Sequence, residues 1–86
     1  MTRRKISDRE RITDAVAAAY EVARAGLCIQ AINSTYRTPK AVASQLREAI
    51  VAMNRDHSMR IDRIAYVLNR DRKTIRYHLE AADGGA

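Results

Sequence analysis

Apolar residues recur at intervals of three and four along most of the chain, and no segment shows the strict alternation of a half-buried strand. That interval places apolar side chains on one face of an α-helix. With three glycines and one proline, the chain also has too few turn residues for an all-β fold. The sequence therefore predicts an all-α protein, a small helical bundle of four to five helices.

Length and composition exclude several classes of protein. A chain of 86 residues forms one small domain at most. Its single cysteine, Cys28, excludes a disulfide framework and a multi-cysteine zinc site, and is expected to be a small core residue. No apolar run approaches the roughly 20 residues that a membrane helix needs. No signal-peptide pattern follows the basic start, so we expect a cytoplasmic protein.

The sequence also argues against an enzyme. No pair of carboxylates is spaced for acid–base catalysis, and no glycine-rich phosphate loop is present. The two histidines, His57 and His78, lie far apart without other soft ligands, so neither a metal nor a cofactor is expected.

The first helix is expected to begin after Ser7. The tetrapeptide S-D-R-E is a capping box, in which Glu10 returns a hydrogen bond to the cap residue. Gly26 can supply the left-handed residue that ends the helix. We expect one apolar stripe to face the core, formed by Ile12, Val16, Ala19, Tyr20, Ala23 and Leu27.

The middle of the chain contains one long helix. Residues 27–38 are compatible with a short helical turn followed by a loop. Pro39 is favoured at a first helical position, so the long helix is expected to start there. Residues 54–57 form a polar break, and Ser58 is expected to cap the next helix. The residues expected to face inward from the long helix are Val42, Leu46, Ile50 and Met53.

Two shorter helices follow, joined at Asn69 and Arg70. Asn69 tolerates the left-handed conformation that such a turn needs. Asp71 is expected to cap the last helix. Beyond it, residues 83–86 are expected to be a flexible tail, and residues 1–6 a basic arm that precedes the domain at 7–82. The inward residues are expected to be Ile61, Ile64, Ala65, Leu68, Ile75, His78 or Leu79, and Ala82.

Positive charge is concentrated at the two ends of the sequence. The net charge is +6, made up of +3 over residues 3–11, +1 over 12–53, +3 over 54–80 and −1 from Asp83. Thirteen of the 16 cations are arginine, whose planar fork suits phosphate and guanine edges. A GC-rich codon bias would also favour arginine. A small basic domain most often binds a polyanion, usually nucleic acid.

The segment IAYVLNRDRKTIRYHL, residues 64–79, resembles the helix-turn-helix of bacterial regulators. The common form is close to I-A-x-x-L-G-x-S-x-x-T-V-x-x-x-L. The resemblance implies a motif over about 58–82, with Asn in place of Gly and Asp in place of Ser. The residues that occupy its positions are Ile64, Ala65, Leu68, Asn69, Asp71, Thr74, Ile75 and Leu79.

A longer resemblance is to the DNA-binding C-terminal domain of the bacterial replication initiator DnaA. ITDAVAAAYEV (12–22) is similar to that family's first helix, and TPKAVASQL (38–46) to the start of its long helix. NRDRKTIRYH (69–78) is similar to its signature G-R-D-H-[ST]-T-V, with Arg72 in place of His and Lys73 in place of Ser or Thr. The literal R-D-H-S at 55–58 precedes a different helix and remains the alternative signature.

The resemblance implies a sequence-specific double-stranded DNA-binding protein, a transcription regulator of phage or prophage origin associated with the nucleoid. The implied base-reading residues are Asp71, Arg72, Lys73, Thr74, Arg76 and Tyr77. The residues expected to contact the DNA backbone are Lys40, Arg37, Arg60, Arg70, Arg3, Arg4 and Lys5.

The alternative is a protein-interaction adaptor. Its alanine-rich first helix would dock on RNA polymerase, another regulator or a partner subunit, with DNA binding secondary or absent. One motif contacts about 4–6 base pairs, which is too short a site for a genome. A homodimer or a polymerase partner is therefore expected.

Overall fold

A computed structural model describes residues 7–35 and 37–84 of the chain. The basic arm at 1–6, with Arg3, Arg4 and Lys5, lies outside the described residues. The described residues contain five α-helices, one 3-10 turn and no strand, which confirms the small all-α bundle. The elements are α1 (Asp8–Arg24), α2 (Ile29–Asn33), the 3-10 turn (Lys40–Val42), α3 (Ala43–Asp56), α4 (Ile61–Leu68) and α5 (Arg72–Asp83).

The ends of α1 follow the sequence signals. Ser7 accepts from the Glu10 amide, and the Glu10 carboxylate accepts from the Ser7 amide, so the capping box is confirmed. After α1 the chain turns at Gly26, whose φ of +85° confirms the left-handed residue expected there. A side chain at this position would be strained by that backbone conformation.

The face that α1 buries is the opposite of the one expected. The part of the expected stripe that lies in α1 points to solvent, with Ile12 66% exposed, Val16 65% and Tyr20 58%. Leu27, beyond the end of α1, packs against the core as expected. Two of the residues on the buried face, Asp14 and Glu21, are carboxylates. Alanines between the carboxylates let neighbouring helices approach closely, and cationic or histidine partners satisfy the carboxylates. The full buried set of α1 is Asp14, Ala17, Ala18, Glu21 and Val22.

The chain between α1 and α3 forms a short helix and then a tight turn. α2 confirms the helical turn that residues 27–38 allowed, and it buries Ile32. Pro39 does not start α3: it has extended ψ and precedes the 3-10 turn, so α3 begins only at Ala43. Val42 is accordingly half-buried rather than inward. Leu46, Ile50 and Met53 face the core as expected.

The break between α3 and α4 lies three residues later than the sequence suggested, at 57–60, because α3 continues to Asp56. Ser58 is not a helix cap: its φ is +54°, and α4 begins after Arg60, which caps it with no side-chain bond. The segment turns here so that Met59, 1% exposed, can enter the core. Asn54 holds it there by donating from Nδ2 to the Met59 carbonyl at 2.9 Å.

The turn between α4 and α5 follows the sequence closely. Asn69 is left-handed at φ +56°, and the Arg70 amide donates to the Ala65 carbonyl. Asp71 caps α5 by accepting from the Lys73 amide at 3.1 Å. Of the two inward candidates near the end of α5, His78 is buried and Leu79 is half-buried. Ala82 is exposed, and Asp83 is helical rather than part of a tail.

The helices form three layers. α3 and α4 contact each other, and both contact α1 and α5, whereas α1 and α5 make no contact with one another. α1 and α5 therefore lie on opposite sides of the α3–α4 pair. Within the described ranges, no helix has the length and apolarity required to cross a membrane. The residues that fill the centre are Leu46, Ile50, Met53, Met59, Ile64, Leu68, Ile75 and Val22.

Candidate nucleic-acid interface

The outer face of α5 is cationic in its first two turns. Ile75 and His78 anchor the helix to the core. On the side away from them, Arg72, Lys73 and Arg76 are exposed, and Tyr77 is 62% exposed. These four expected base-reading residues therefore share one accessible surface at the N-terminal half of the helix.

The other two expected base-reading residues have more constrained positions. Asp71 is exposed, but its Oδ1 accepts from the Lys73 amide and so fixes the carboxylate at the helix end. Thr74 is half-buried at the edge of the exposed surface. The cap sets the start of α5, and therefore the direction in which the next two side chains leave the helix.

A cleft of about 430 Å³ runs along one side of this surface. Arg60, at the start of α4, faces Arg72 and Arg76 of α5 across it. Two arginines of α5 and the cap residue of α4 thus line a single groove, and of the described residues that line it, Asp62 alone is acidic. The expected backbone residue Arg60 lies beside the expected base-reading residues.

A second cleft, also about 430 Å³, lies on the other side of α5. Arg37 and Thr38, from the loop before α3, face Thr74 and Tyr77 across it. Arg37 therefore flanks α5 opposite Arg60. Lys40 is exposed in the 3-10 turn three residues further on, and it lines neither cleft.

Arg47 of α3 is a residue that the sequence analysis missed. Its guanidinium lies over the Tyr77 ring, 5.6 Å from the centroid, and its Nε donates to His78 Nδ1 at 3.2 Å. Burial lowers the pKa of His78, and the positive charge of Arg47 lowers it further. No sequence signal pairs Arg47 with α5, since 30 or more residues separate them.

Arg70 is not the exposed backbone contact that the sequence suggested. Its side chain turns inward, and the residue is only 6% exposed. Nε donates to Thr38 Oγ1 at 2.8 Å, and Nη1 lies within donating distance of four backbone carbonyls. Burial lowers its pKa. The sequence pattern placed Arg70 with its cationic neighbours, but the turn after Asn69 directs it into the protein.

The alternative signature at 55–58 is occupied by intramolecular contacts. Arg55 pairs with Asp83 at 3.3 Å, and His57 Nε2 lies 2.8 Å from Glu21 Oε2. The segment ends α3 and turns into the core, so it does not begin an exposed helix.

The buried carboxylates of α1 are paired on the side away from α5. Arg63 of α4 donates to both oxygens of Asp14 through Nε and Nη2, and this bond raises the pKa of Arg63. Glu21 pairs with Arg24 at 3.5 Å as well as with His57. Two acidic charges are thereby withdrawn from the surface.

The remaining candidate side chains are the cysteine and the groups that could hold a metal ion. Cys28, expected in the core, is exposed at the start of α2. Across residues 7–35 and 37–84, no group of three or more His, Cys, Asp or Glu side chains is placed to hold a metal ion.

Comparison of the chain with protein-family models, with curated proteins and with solved structures gave no match.

Proposed function

We propose that this protein binds double-stranded DNA as a sequence-specific transcription regulator, with α4 and α5 acting as a helix-turn-helix. One observation carries the proposal. The first two turns of α5 present a continuous cationic surface, and an arginine from another element lies on each side of it, Arg60 on one and Arg37 on the other. A recognition helix in a major groove faces base edges directly and has the phosphates of one strand on each side, so the cationic face of α5 would meet bases and the two flanking arginines would meet phosphates.

The α5 surface would read bases. Arg72 would donate to guanine O6 and N7 as a planar fork, and Lys73 and Arg76 would reach neighbouring acceptors. Tyr77 would contact a thymine methyl, its ring held by Arg47. Asp71 keeps Oδ2 outside its capping bond, and such an oxygen accepts from cytosine N4. Thr74 lies at the edge of this surface.

The flanking arginines would bind phosphates. Arg60 and Arg37 lie in separate clefts on opposite sides of α5, and each would neutralise one strand of the duplex. Lys40, exposed in the neighbouring 3-10 turn, would extend the Arg37 side. Glu80 is exposed further along α5 and repels phosphate, so the contact is confined to the first half of that helix.

In vitro selection of bound DNA at controlled salt tests the proposal. We expect an enriched site, and we expect Arg72→Ala to lower affinity for that site by about 1–3 kcal/mol while leaving a scrambled site nearly unchanged. Lys40→Ala should weaken both sites alike. Arg9→Ala is the matched control, because it removes the same charge from α1 on the opposite side. Failure to enrich any sequence, or equal losses for both sites with Arg72→Ala, would contradict sequence-specific reading by α5.

A second candidate function is the protein-interaction adaptor, and the outward face of α1 favours it. Ile12, Val16 and Tyr20 recur every four residues and are all more than half exposed. Large apolar side chains exposed side by side are a feature of surfaces that bind other proteins. Because α1 and α5 lie on opposite sides of the molecule, RNA polymerase or another subunit would reach this stripe while α5 is on DNA.

Purified RNA polymerase is the probe for this second function. We expect Val16→Asp to abolish a complex that forms without DNA, and to leave DNA affinity unchanged. Gln30→Glu makes the same change in charge at an exposed position of α2 and should have no effect. No complex with the wild-type protein, or equal loss with both variants, would contradict docking through α1.

A further inference from the structure

The buried guanidinium of Arg70 joins two parts of the chain that are distant in sequence. Nη1 has two hydrogens and lies within donating distance of four carbonyl oxygens. Two of them, those of Leu68 and Asn69, lie in the turn before α5. The other two, those of Ile32 and Thr35, lie in and after α2. Arg70 therefore connects the α4–α5 turn to residues 32–35.

Two further bonds strengthen this connection. Arg70 Nε donates to Thr38 Oγ1, which fixes the far end of the loop. Asn69 Nδ2 donates to the Asn33 carbonyl at 3.1 Å, which fixes its near end. Arg37 lies between these points and faces Thr74 and Tyr77 of α5.

Burying the Arg70 guanidinium costs free energy of folding, so side-chain packing alone does not explain its position. No carboxylate lies within 4.0 Å of this guanidinium among residues 7–35 and 37–84, so a charge is buried against carbonyl groups and one hydroxyl. Among the same residues, Nη2 is buried without a hydrogen-bond partner. An apolar side chain of similar size would avoid both costs. What it would not supply is the planar fork that holds both segments at once.

We infer that Arg70 is a positioning residue of the DNA interface: without touching DNA, it holds residues 33–35 and 37–38 so that Arg37 lies beside α5. The inference rests on the proposed DNA-binding function. The inference explains how Arg37 comes to lie at the interface. It also explains why Arg70, which directly precedes the cap of α5, is directed into the protein.

The salt dependence of DNA binding tests whether Arg70 acts through Arg37. Each phosphate contact contributes about −0.9 to the slope of log affinity against log salt. Arg70→Lys keeps the charge but not the fork, and we expect it to reduce the magnitude of the slope by about 0.9, as Arg37→Ala does. The double variant should show no further reduction. A double reduction of about 1.8 would mean that Arg70 and Arg37 act independently, and an unchanged slope for Arg70→Lys would also overturn the inference.

Amide hydrogen exchange tests the loop placement without DNA. We expect the Ile32 and Ser34 amides, which donate to Cys28 and Gln30, to exchange at least about ten-fold faster in Arg70→Lys. Amides in the middle of α1 should be unchanged. Equal acceleration throughout the chain would reduce Arg70 to a general stabilising role and overturn the inference.

Thr38→Val is the milder variant, because it removes only the acceptor of Arg70 Nε. Thr13→Val is its matched control, since Thr13 bonds only within α1, to the Arg9 carbonyl. We expect faster exchange at Ser34 and a reduced slope for Thr38→Val alone. If the wild-type protein fails to bind DNA, the proposed function fails, whereas the exchange data still decide whether Arg70 holds the loop.

Discussion

Asp14 and Glu21 determine how α1 sits on the protein. A carboxylate that leaves water must be paired, and each of these has a partner on a neighbouring element: Arg63 of α4 for Asp14, and His57 after α3 for Glu21. The pairs fix the rotation of α1 about its axis, since turning the helix to bury its apolar stripe would break both. Polar contacts thus override the hydrophobic pattern of the helix.

Breaking the pair at Arg63 should be costly. Arg63→Ala leaves the Asp14 carboxylate buried without its partner, and we expect a loss of about 3 kcal/mol in the free energy of unfolding. Urea denaturation measures the change. Arg9→Ala removes an exposed arginine from α1, and it should change the free energy of unfolding by less than about 0.5 kcal/mol. A loss as small for Arg63→Ala would show that the pair does not orient α1.

His78 should make stability depend on pH. Its pKa is lowered in the folded state, first by burial and then by Arg47, so folding favours the neutral ring. That contribution is fully present above the unfolded pKa of about 6.5 and is lost as pH falls from there through the folded pKa. We expect wild type to lose more stability than His78→Gln between pH 7.5 and about pH 5, measured by urea denaturation at each pH. Parallel pH profiles for the two proteins would contradict this assignment.

Among the elements, the α4–α5 turn is the one in which consecutive residues each have a distinct structural role. Asn69 ends α4 in the left-handed region, Arg70 enters the protein, and Asp71 caps α5. Three consecutive residues therefore each have a separate task. The order matters for function because the cap decides which side chains of α5 are outermost.

Substitution of Asn69 measures how much the left-handed backbone conformation contributes to stability. Asn69→Gly and Asn69→Ala both lose the bond from Nδ2 to the Asn33 carbonyl, so they differ in the strain of a φ near +56° and, in the opposite sense, in the entropy of the unfolded chain. We expect the alanine variant to be about 1 kcal/mol less stable than the glycine variant, because a Cβ disfavours this region. Thermal unfolding of the two proteins side by side gives the difference. Equal stabilities would mean that the turn relaxes out of the left-handed conformation.

At the scale of the whole molecule, folding brings together cations that are dispersed in the sequence. Arg72, Lys73 and Arg76 are exposed on α5, and Arg60 and Arg37 border that helix. This gathering of positive charge makes the α5 side suited to a polyanion.

This distribution predicts a steep salt dependence. With four to six DNA contacts from the exposed cations of α5 together with Arg60, Arg37 and Lys40, the log–log slope on duplex DNA should be roughly −4 to −5. Fluorescence anisotropy over a range of salt concentrations measures it. A slope near zero, or no binding at low salt, would favour the protein-interaction function of α1.

The sequence by itself determined the features that depend on neighbouring residues. The capping box at Ser7, the left-handed residues Gly26 and Asn69, and the Asp71 cap were all predicted, because each is a contact within four residues of chain. The all-α class followed for the same reason, since helical hydrogen bonds are local.

Only the tertiary structure decided which face of each helix is buried and what flanks α5. Two stripes on α1 have equally helical spacing, and the choice depended on Arg63 and His57, more than 30 residues away. The position of Arg37 beside α5, the stacking of Arg47 on Tyr77 and the inward path of Arg70 have the same origin. Periodicity records which residues share a face, whereas burial is decided by partners that come together only when the chain folds.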